Sequence, residues 1–323
     1  MSANNMPANN MSANSFSVLH IVQQCNCVGD VDALIDSSKY FRFLVNDRLC
    51  GLISIQDIPP LESAANSLPR PPFRFDSERR CVEFSDWCST QAQRTAAVAA
   101  VLSRMRELQS WPSLAKWRDE LYPVYGDSSD PNNVAVFIER AASYNFGIRT
   151  FGVHINGIVR DRASGAVQMW VAKRSPSKQT WPGYLDQIVA GGIGNGLGAW
   201  ASVVKECDEE GGIPQAIAET AVSAGTIQYF TKSVLGLQPE TQYVYDLELP
   251  PDFVPFPKDG EVDSFHLWTL DQVMDRIKQN LFKPNCAVCV IDFMIRHGYL
   301  TAETEPDYLQ IIDNIHRPLP FPC

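Results

Sequence analysis

The sequence lacks both long apolar runs and clusters of positive charge. No apolar stretch approaches the roughly 20 residues that a helix needs to cross a lipid bilayer. The formal net charge is −10, and no lysine- or arginine-rich run offsets it. Nucleic acids and anionic membranes are therefore excluded as general partners. An acidic chain can still bind an anionic substrate when a metal ion bridges the two.

The motifs of several enzyme and metal-site classes are also absent. The five histidines form no HExxH spacing, and neither a GxSxG nor a GxxxxGK[ST] motif occurs. The nine cysteines are odd in number, and MSANNMPANNMSANS lacks the basic start and apolar core of a signal peptide. We therefore expect free thiols in a reducing compartment and a cytoplasmic protein, with the nucleus as a further location.

Two weak motifs are present but favour other interpretations. Cys286-x-x-Cys289 resembles half of a zinc site, but it lies in an apolar helical stretch without a second pair nearby, which indicates buried core thiols. The run GNGLGA fits a dinucleotide fingerprint only loosely, with Ala199 in place of the last glycine. That fingerprint also needs an acidic residue at the end of a strand about 20 residues later, where we predict AIAETAVSAG to be helical.

Three segments divide the chain. Residues 1–14 are rich in Asn, Ser, Ala and Met without apolar periodicity, which predicts a disordered tail. Residues 15–140 are predicted to form an α+β domain of unknown role. It contains a hairpin in YFRFLVNDRLCGLIS that turns at Asn46-Asp47, a strand pair in PPFRFDSERRCVEFS and a helix in STQAQRTAAVAAVLSRMRELQSW. The turn-rich GDSSDPNNV precedes the boundary near residue 140, where AVFIERAASYNFG is predicted to be a connecting helix.

Residues 141–323 interleave strands and helices. Strands are predicted in FGIRTFGVHINGIVRD, AVQMWVAKRS, DQIVAGG, TQYVYDLELP and SFHLWTL, from aromatic and β-branched residues. Helices are predicted in GAWASVVKECDEEGG, LDQVMDRIKQN, NCAVCVIDFMIRHG and PDYLQIIDNIHR. This interleaving predicts an α/β or α+β fold.

The segment KECDEEGG carries four acidic residues within five positions. Like charges at helical spacing destabilise a helix, so the cluster is either a solvated face or a functional one. Glu206, Glu209 and Glu210 lie at i, i+3 and i+4 and therefore share one helix face. Such a face supplies hard oxygen ligands for Mg²⁺ or Mn²⁺. The glycines that precede the helix let the backbone approach a phosphate closely.

The residues from Gly191 to Ile213 resemble the Nudix box, G-x5-E-x7-R-E-U-x-E-E-x-G-U, where U is an aliphatic or similar residue. The spacing is intact over 23 positions. Leu197 replaces the first glutamate of the box and cannot ligate a metal ion. Lys205 replaces the arginine, keeping the charge but losing the planar fork. Because that arginine mostly orients a catalytic glutamate in the family, Lys205 is predicted to take this role.

Segments outside the box, among them ERAASYNFGIRTFGVHINGIV and FKPNCAVCVIDFMIRHGYL, are similar to one Nudix subfamily. Its fungal and plant members are related to thiamine pyrophosphokinase and carry a preceding domain of uncharacterised function. The resemblance extends from residue 16 to the C-terminus and implies a Nudix α/β/α sandwich with a mixed sheet after a smaller α+β domain. It also implies hydrolysis of a diphosphate linkage. Thiamine diphosphate and its oxidised or damaged analogues would be the substrates, with the monophosphate and phosphate as products.

Catalytic and metal-binding roles follow from this chemistry. Divalent metals neutralise the charge of a diphosphate and lower the pKa of a bound water. Glu206, Glu209 and Glu210 are therefore the predicted ligands of Mg²⁺ or Mn²⁺, unless one of them acts as the base. Glu261, in the later segment KDGEVDSFHLW, is the candidate base outside the helix, with a solvated loop glutamate as the alternative.

Substrate contacts are predicted just before the box. Arg174 and Lys178 can hold a terminal phosphate by charge-assisted hydrogen bonds, or they are ordinary surface cations. Trp181 can stack on a substrate ring, or it is a structural residue before a turn. Gly191 and Gly192 are predicted to approach the metal or the phosphate through backbone atoms.

Several alternatives remain open from the sequence. The same fold can act on nucleoside diphosphate derivatives such as ADP-ribose or NADH, or bind a phosphorylated ligand without catalysis, as Leu197 would suggest. The relation of the subfamily to thiamine pyrophosphokinase also suggests thiamine pyrophosphokinase activity as an alternative, although no separate kinase-like segment is visible. The N-terminal domain can gate the pocket, cover one side of the substrate or form a homodimer.

Overall fold

A computed structural model describes residues 15–323, and the predicted disordered tail lies outside this range. The helices are α1 (Val18–Cys25), α2 (Val31–Asp36), α3 (Ile58–Asn66), α4 (Gln91–Glu107), α5 (Ser143–Phe146), α6 (Ala199–Gly211), α7 (Gln215–Ala218), α8 (Leu270–Lys278), α9 (Pro284–Arg296) and α10 (Tyr308–Ile315). The strands are β1 (Tyr40–Val45), β2 (Arg48–Ser54), β3 (Phe73–Asp76), β4 (Cys81–Phe84), β5 (Leu121–Tyr125), β6 (Val134–Glu139), β7 (Thr150–Arg160), β8 (Val167–Arg174), β9 (Leu185–Gln187), β10 (Val189–Gly192), β11 (Val222–Ser233), β12 (Gly236–Glu248) and β13 (Val262–Thr269). Short 3₁₀ helices cover Pro112–Lys116 and Arg140–Ala142.

The N-terminal part contains a four-stranded sheet in the order β2-β1-β4-β3 and the separate β5–β6 hairpin. Asn46 and Asp47 both have positive φ, 50° and 60°, which two-residue hairpin turns favour, so the predicted turn is confirmed. The strand pair β3–β4 and the helix α4 are confirmed as well. Helix α4 begins with a capping box between Thr90 and Gln93. Its buried face and β6 share one apolar core with the small sheet.

The C-terminal part is built on a larger sheet in the order β11-β12-β7-β8-β13, to which β9 and β10 add at β8 and β7. Strands β12 and β7 are parallel and the other pairs antiparallel, so the sheet is mixed. Alternate residues of β12 enter different cores: Val244 packs with α9, and Tyr245 and Leu247 pack with α6. Helices therefore cover both faces, which confirms the predicted α/β/α sandwich and mixed α/β class.

Helix α1 lies at the N-terminal end of the described chain but packs into the C-terminal core. Its buried side chains Val18, Ile21, Val22 and Cys25 join the cluster formed by α8, α9 and α10. Residues from both ends of the sequence therefore complete one side of the sandwich.

Two local predictions were wrong. AVFIERAASYNFG was predicted as a helix, but its first residues form β6, because Val134–Glu139 pairs with β5. AIAETAVSAG was predicted to be helical throughout, but α7 ends at Ala218 and β11 begins at Val222, where pairing with β12 decides the conformation. Within residues 15–323, no helix has the length and apolar character needed to cross a membrane.

Candidate active site

One large cleft lies between the N-terminal part and the large sheet. Its volume is about 1460 Å³, and residues of β7, β10, β12, α6 and the β5–β6 hairpin line it. The ten residues that the sequence singles out for catalysis, metal binding or substrate binding all lie on its wall; they are Arg174, Lys178, Trp181, Gly191, Gly192, Lys205, Glu206, Glu209, Glu210 and Glu261. The fold thus brings these residues to one place, and their individual roles stay predictions.

Helix α6 is held in place by its apolar stripe and its glycine end. Val203 and Cys207 are fully buried against the sheet, which turns the glutamate face toward the cleft. Gly212 adopts the left-handed conformation with φ 58°, and its N–H donates to the carbonyl of Cys207. Glycine takes this conformation without steric cost, which accounts for the Gly-Gly end of the acidic segment.

Glu210 is the most buried of the three predicted metal ligands, with 8% of its surface exposed. The backbone N–H of Ala190 in β10 donates to its Oε2 at 2.9 Å. Burial raises the pKa of this carboxyl well above its usual range, and the negative charges of Glu206 and Glu261 add to the shift. A nearby cation would favour the ionised form and remove this penalty.

Glu206 lies against Gly191, the first glycine of the box. A Cβ added to Gly191 would overlap the Glu206 side chain and come within 2.7 Å of Oε1. The glutamate side chain is 14% exposed, and burial raises the pKa of its carboxyl. The predicted approach of Gly191 to a metal ion or phosphate stays a prediction, and the group that its missing side chain admits in the structure is the Glu206 carboxylate.

Lys205 bridges two of the acidic residues. Its Nζ lies 3.1 Å from Oε1 of Glu206 and 2.7 Å from Oε2 of Glu209. Glu209 is half-exposed and lines the cleft. A lysine in the arginine position thus holds two carboxylates by single contacts, without the two parallel hydrogen bonds that a guanidinium can make to one.

A second acidic element faces α6 from the loop before β13. Carboxylate oxygens of Glu210, Asp259 and Glu261 all lie within 4.8 Å of one another. Such a set of hard oxygen donors fits Mg²⁺ or Mn²⁺, which would offset their mutual repulsion. Asp259 was missed in the sequence analysis, although it lies two residues before Glu261 in the same acidic loop.

Lys178 contacts the carboxylate of Glu261 directly. Burial alone would raise the pKa of Glu261, but the hydrogen bond and positive charge of Lys178 outweigh it and lower the pKa. Glu261 is consequently held in its charged form, which suits a metal ligand better than a proton acceptor.

Arg174 is already occupied by protein groups. Its Nη1 donates to Oδ2 of buried Asp186 at 2.6 Å, and its other nitrogens donate to the carbonyls of Thr180 and Trp181. It therefore shapes the loop that ends the cleft.

Trp181 is 42% exposed, packs edge-to-face on Tyr184 and has a positive φ of 54°. Leu197 is also exposed on the cleft wall, so its apolar side chain faces the cleft where the box has a glutamate.

The N-terminal hairpin forms the opposite wall, which the sequence analysis did not identify. The Asn195 N–H donates to the carbonyl of Leu121 at 2.9 Å, joining the glycine loop to β5. A Cβ on Gly192 would overlap the hydroxyl of Tyr122 and lie 3.6 Å from Nη2 of Arg140. Arg140 pairs with Glu120 at 2.7 Å and lies over the Tyr122 ring. These residues are distant in sequence from the box, so no local pattern points to them.

A buried polar cluster supports the floor of the cleft. Reactive atoms of His154, Asp186 and Cys286 lie within 4.8 Å of one another. Asp186 accepts a hydrogen bond from the Cys286 thiol at 2.6 Å and pairs with Arg174, so both of its oxygens are used within the protein. Burial lowers the pKa of His154 to about 4, which keeps it neutral. Cys286 and Cys289 are both fully buried in α9, which confirms them as core thiols.

Comparison with known proteins divides the chain at residue 150. Residues 17–150 match a domain of unknown function, DUF4743, and residues 150–286 match the NUDIX domain. A solved structure, DR0079 from Deinococcus radiodurans, is 20% identical with a TM-score of 0.38 and covers 53% of this chain and 97% of its own.

Two curated relatives share both parts of the chain. The Saccharomyces cerevisiae protein named Uncharacterized protein YJR142W is 38% identical over 278 residues, which is 82% of this chain and 79% of the yeast protein. Nudix hydrolase 20, chloroplastic, of Arabidopsis thaliana is 42% identical over 225 residues, 69% of this chain. The match spans 58% of the length of this plant relative. With its DUF4743 and NUDIX domains and these relatives, the chain belongs to the Nudix hydrolase family.

Proposed function

We propose that the protein hydrolyses the diphosphate linkage of thiamine diphosphate or of its oxidised or damaged analogues, to give the monophosphate and phosphate. Diphosphate hydrolysis is supported by one observation, the convergence of two acidic elements at one end of the cleft. Glu206 and Glu210 come from α6, and Asp259 and Glu261 come from the facing loop. The thiamine part rests on the subfamily resemblance of the sequence.

The acidic end is the site for Mg²⁺ or Mn²⁺. Glu209 and Glu210 keep their predicted roles as ligands, whereas Glu206 takes the alternative role of base. Asp259 and Glu261 join the ligands because of their proximity to Glu210. A divalent cation bound there would neutralise diphosphate charge and polarise the attacked phosphorus. The raised pKa of Glu210 supports this placement, since burial and neighbouring negative charges raise it and a bound cation would favour the ionised form.

The reaction needs one proton acceptor. A water oxygen forms a bond to phosphorus, the bridging P–O bond breaks, and the monophosphate leaves with the bond electrons. We assign Glu206 to take the proton of the water, because burial raises the pKa of its carboxyl while Lys205 orients it. Glu261 was the predicted base outside the helix, but its pairing with Lys178 favours the role of a ligand.

A second candidate substrate class is favoured by the size of the cleft. Its volume of about 1460 Å³ exceeds the roughly 300–1000 Å³ that is usual for small-molecule sites. A nucleoside diphosphate derivative such as ADP-ribose or NADH would use this space more fully than thiamine diphosphate.

Phosphate release in the presence of Mg²⁺ tests the proposal. We expect Glu206→Gln and Glu210→Gln each to lower kcat on thiamine diphosphate by at least roughly a hundredfold. Loss of an acid–base group such as Glu206 costs about 10²–10⁴ in rate, and loss of Glu210 removes a charged ligand of the metal ion. Glu219→Gln, at the exposed residue that follows α7, is the matched control and should retain wild-type rates.

The outcomes separate the competing activities. Near-wild-type rates in both glutamate variants would overturn the proposed site. Higher kcat/KM on ADP-ribose or NADH than on thiamine diphosphate would favour the nucleotide candidate. Conversion of thiamine and ATP to thiamine diphosphate would identify a pyrophosphokinase. Ligand binding without metal-dependent turnover on any substrate would identify a binding protein.

A further inference from the structure

The end of the cleft away from the acidic residues contains a buried acceptor without a partner. Gln242 on β12 is 3% exposed and lines the cleft. Among residues 15–323, its Oε1 finds no hydrogen-bond partner. An unpaired buried carbonyl oxygen is destabilising, so such a group calls for a ligand.

The neighbouring hydrogen bonds fix which way this amide points. The Tyr229 hydroxyl donates to Oε2 of Glu240. Its oxygen must then accept the two remaining contacts, from Nε2 of Gln242 at 3.0 Å and from Nδ2 of Asn285 at 2.9 Å. Because the nitrogen of Gln242 is required at Tyr229, its oxygen is the atom left without a partner, and it lies against Gly152 in the cleft wall.

Glu240 offers a second acceptor beside the first. Its Oε2 takes the bond from Tyr229 and another from Nε2 of Gln238 at 2.9 Å. In the part of the chain that the structure describes, neither of these bonds uses Oε1. Lys283 lines the same end and its charge acts on Glu240, so the pocket does not require a ligand of net positive charge.

Two glycines connect this end of the cleft to the acidic end. Gly152 pairs with Gln242 across the parallel strands, and a Cβ there would overlap Oε1 of Gln242. The same Cβ would lie 2.9 Å from the carbonyl oxygen of Gly191, which in turn abuts Glu206. The unpaired acceptor is thus one strand away from the diphosphate end, within reach of a single small substrate.

We propose that this end of the cleft binds a planar nitrogen heterocycle through ring-edge N–H donors, which meet Oε1 of Gln242 and Oε1 of Glu240. The tyrosines Tyr122 and Tyr144, which also line the cleft, provide apolar faces for such a ring. The inference rests on the proposed diphosphate hydrolysis and specifies the other half of its substrate. A ring without N–H donors would leave Gln242 unpaired and bind more weakly.

Matched substrates test the subsite without any mutation. Thiamine diphosphate and ADP-ribose present N–H donors, and benzyl diphosphate presents a planar ring without them. We expect wild-type kcat/KM to be at least about tenfold higher on the better of the first two than on benzyl diphosphate, mostly through KM.

Variants then assign the effect to the two acceptors. Glu240→Gln and Gln242→Leu should each lower the ratio of kcat/KM on the better N–H-bearing substrate to kcat/KM on benzyl diphosphate by at least about threefold. Glu248→Gln changes an exposed residue of the same strand and should leave this ratio unchanged. Equal kcat/KM on all three wild-type substrates, or variants that slow all three equally, would overturn the subsite while leaving the hydrolase in place. Failure of the wild-type protein to cleave the diphosphate linkage of any of them, measured as phosphate from the two terminal diphosphates and as AMP from ADP-ribose, would instead overturn the proposed function.

Discussion

Gly191 illustrates how one missing side chain arranges the chemistry. The residue is part of β10, and the Glu206 side chain occupies the space where a Cβ would project. The carboxylate can therefore lie directly on the strand, close to the backbone that carries Ala190 and its hydrogen bond to Glu210. Close packing at this point fixes two carboxylates relative to one strand.

A single added methyl group should disturb this arrangement. We expect Gly191→Ala to lower kcat at least roughly tenfold, because overpacking costs about 1–3 kcal/mol and Glu206 must move to relieve it. Metal-dependent phosphate release measures the effect, with the thermal midpoint recorded in parallel. Gly198→Ala is the matched control, since a Cβ there meets no atom within 4 Å. Equal activity of the two variants would contradict the packing argument.

At the scale of elements, the β5–β6 hairpin gives the N-terminal part a direct place in the site. Tyr122 and Arg140 face the glycine loop, and the Arg140 charge reaches Glu261. Of the roles left open for this domain by the sequence, covering one side of the substrate agrees with the geometry. The guanidinium adds positive charge to the cleft wall beside the glycine loop, where a diphosphate must bind.

Removing this charge should weaken substrate binding. We expect Arg140→Ala to lower kcat/KM roughly tenfold to a hundredfold, since a charge-assisted hydrogen bond is worth about 1.5–3 kcal/mol. Steady-state kinetics on thiamine diphosphate measure the change. Arg104→Ala removes a surface arginine of α4 that pairs with Glu107 and should behave like the wild type. The wall has no role in binding if both variants match the wild type.

At the scale of the whole molecule, the chain does not fold as two consecutive blocks. Helix α1 precedes the small sheet in sequence, yet its apolar face lies in the core formed with α8, α9 and α10. The sequence suggests a division at about residue 140. Helix α1 lies before that point in the sequence but packs with the helices that lie after it.

Stability of the C-terminal core should accordingly depend on residues near the N-terminus. Ile21 is 1% exposed, and we expect Ile21→Ala to reduce the free energy of unfolding by about 2–5 kcal/mol. Chemical denaturation followed by tryptophan fluorescence measures the loss. The exposed neighbour Gln23 provides the control, and Gln23→Ala should change stability little. A small effect at Ile21 would mean that α1 is not part of the core.

The sequence by itself determined the features that depend on local spacing. The run from Gly191 to Ile213 contains its glycines, its helix and its three glutamates within one continuous stretch, so helical geometry alone places the carboxylates on one face. Apolar residues at helical spacing likewise predicted α4, helices were predicted in the segments of α8, α9 and α10, and the Asn-Asp turn identified the first hairpin.

Only the tertiary structure decided which distant residues complete the cleft. Asp259 and Arg140 lie on opposite sides of the box in sequence, and the unpaired oxygen of Gln242 depends on contacts with three other strands and helices. Arg174 shows the converse. The sequence suggests an arginine that is free to bind a phosphate, but in the structure its guanidinium already pairs with buried Asp186. Hydrogen-bond partners and close approaches between distant segments follow from packing, which no local pattern records.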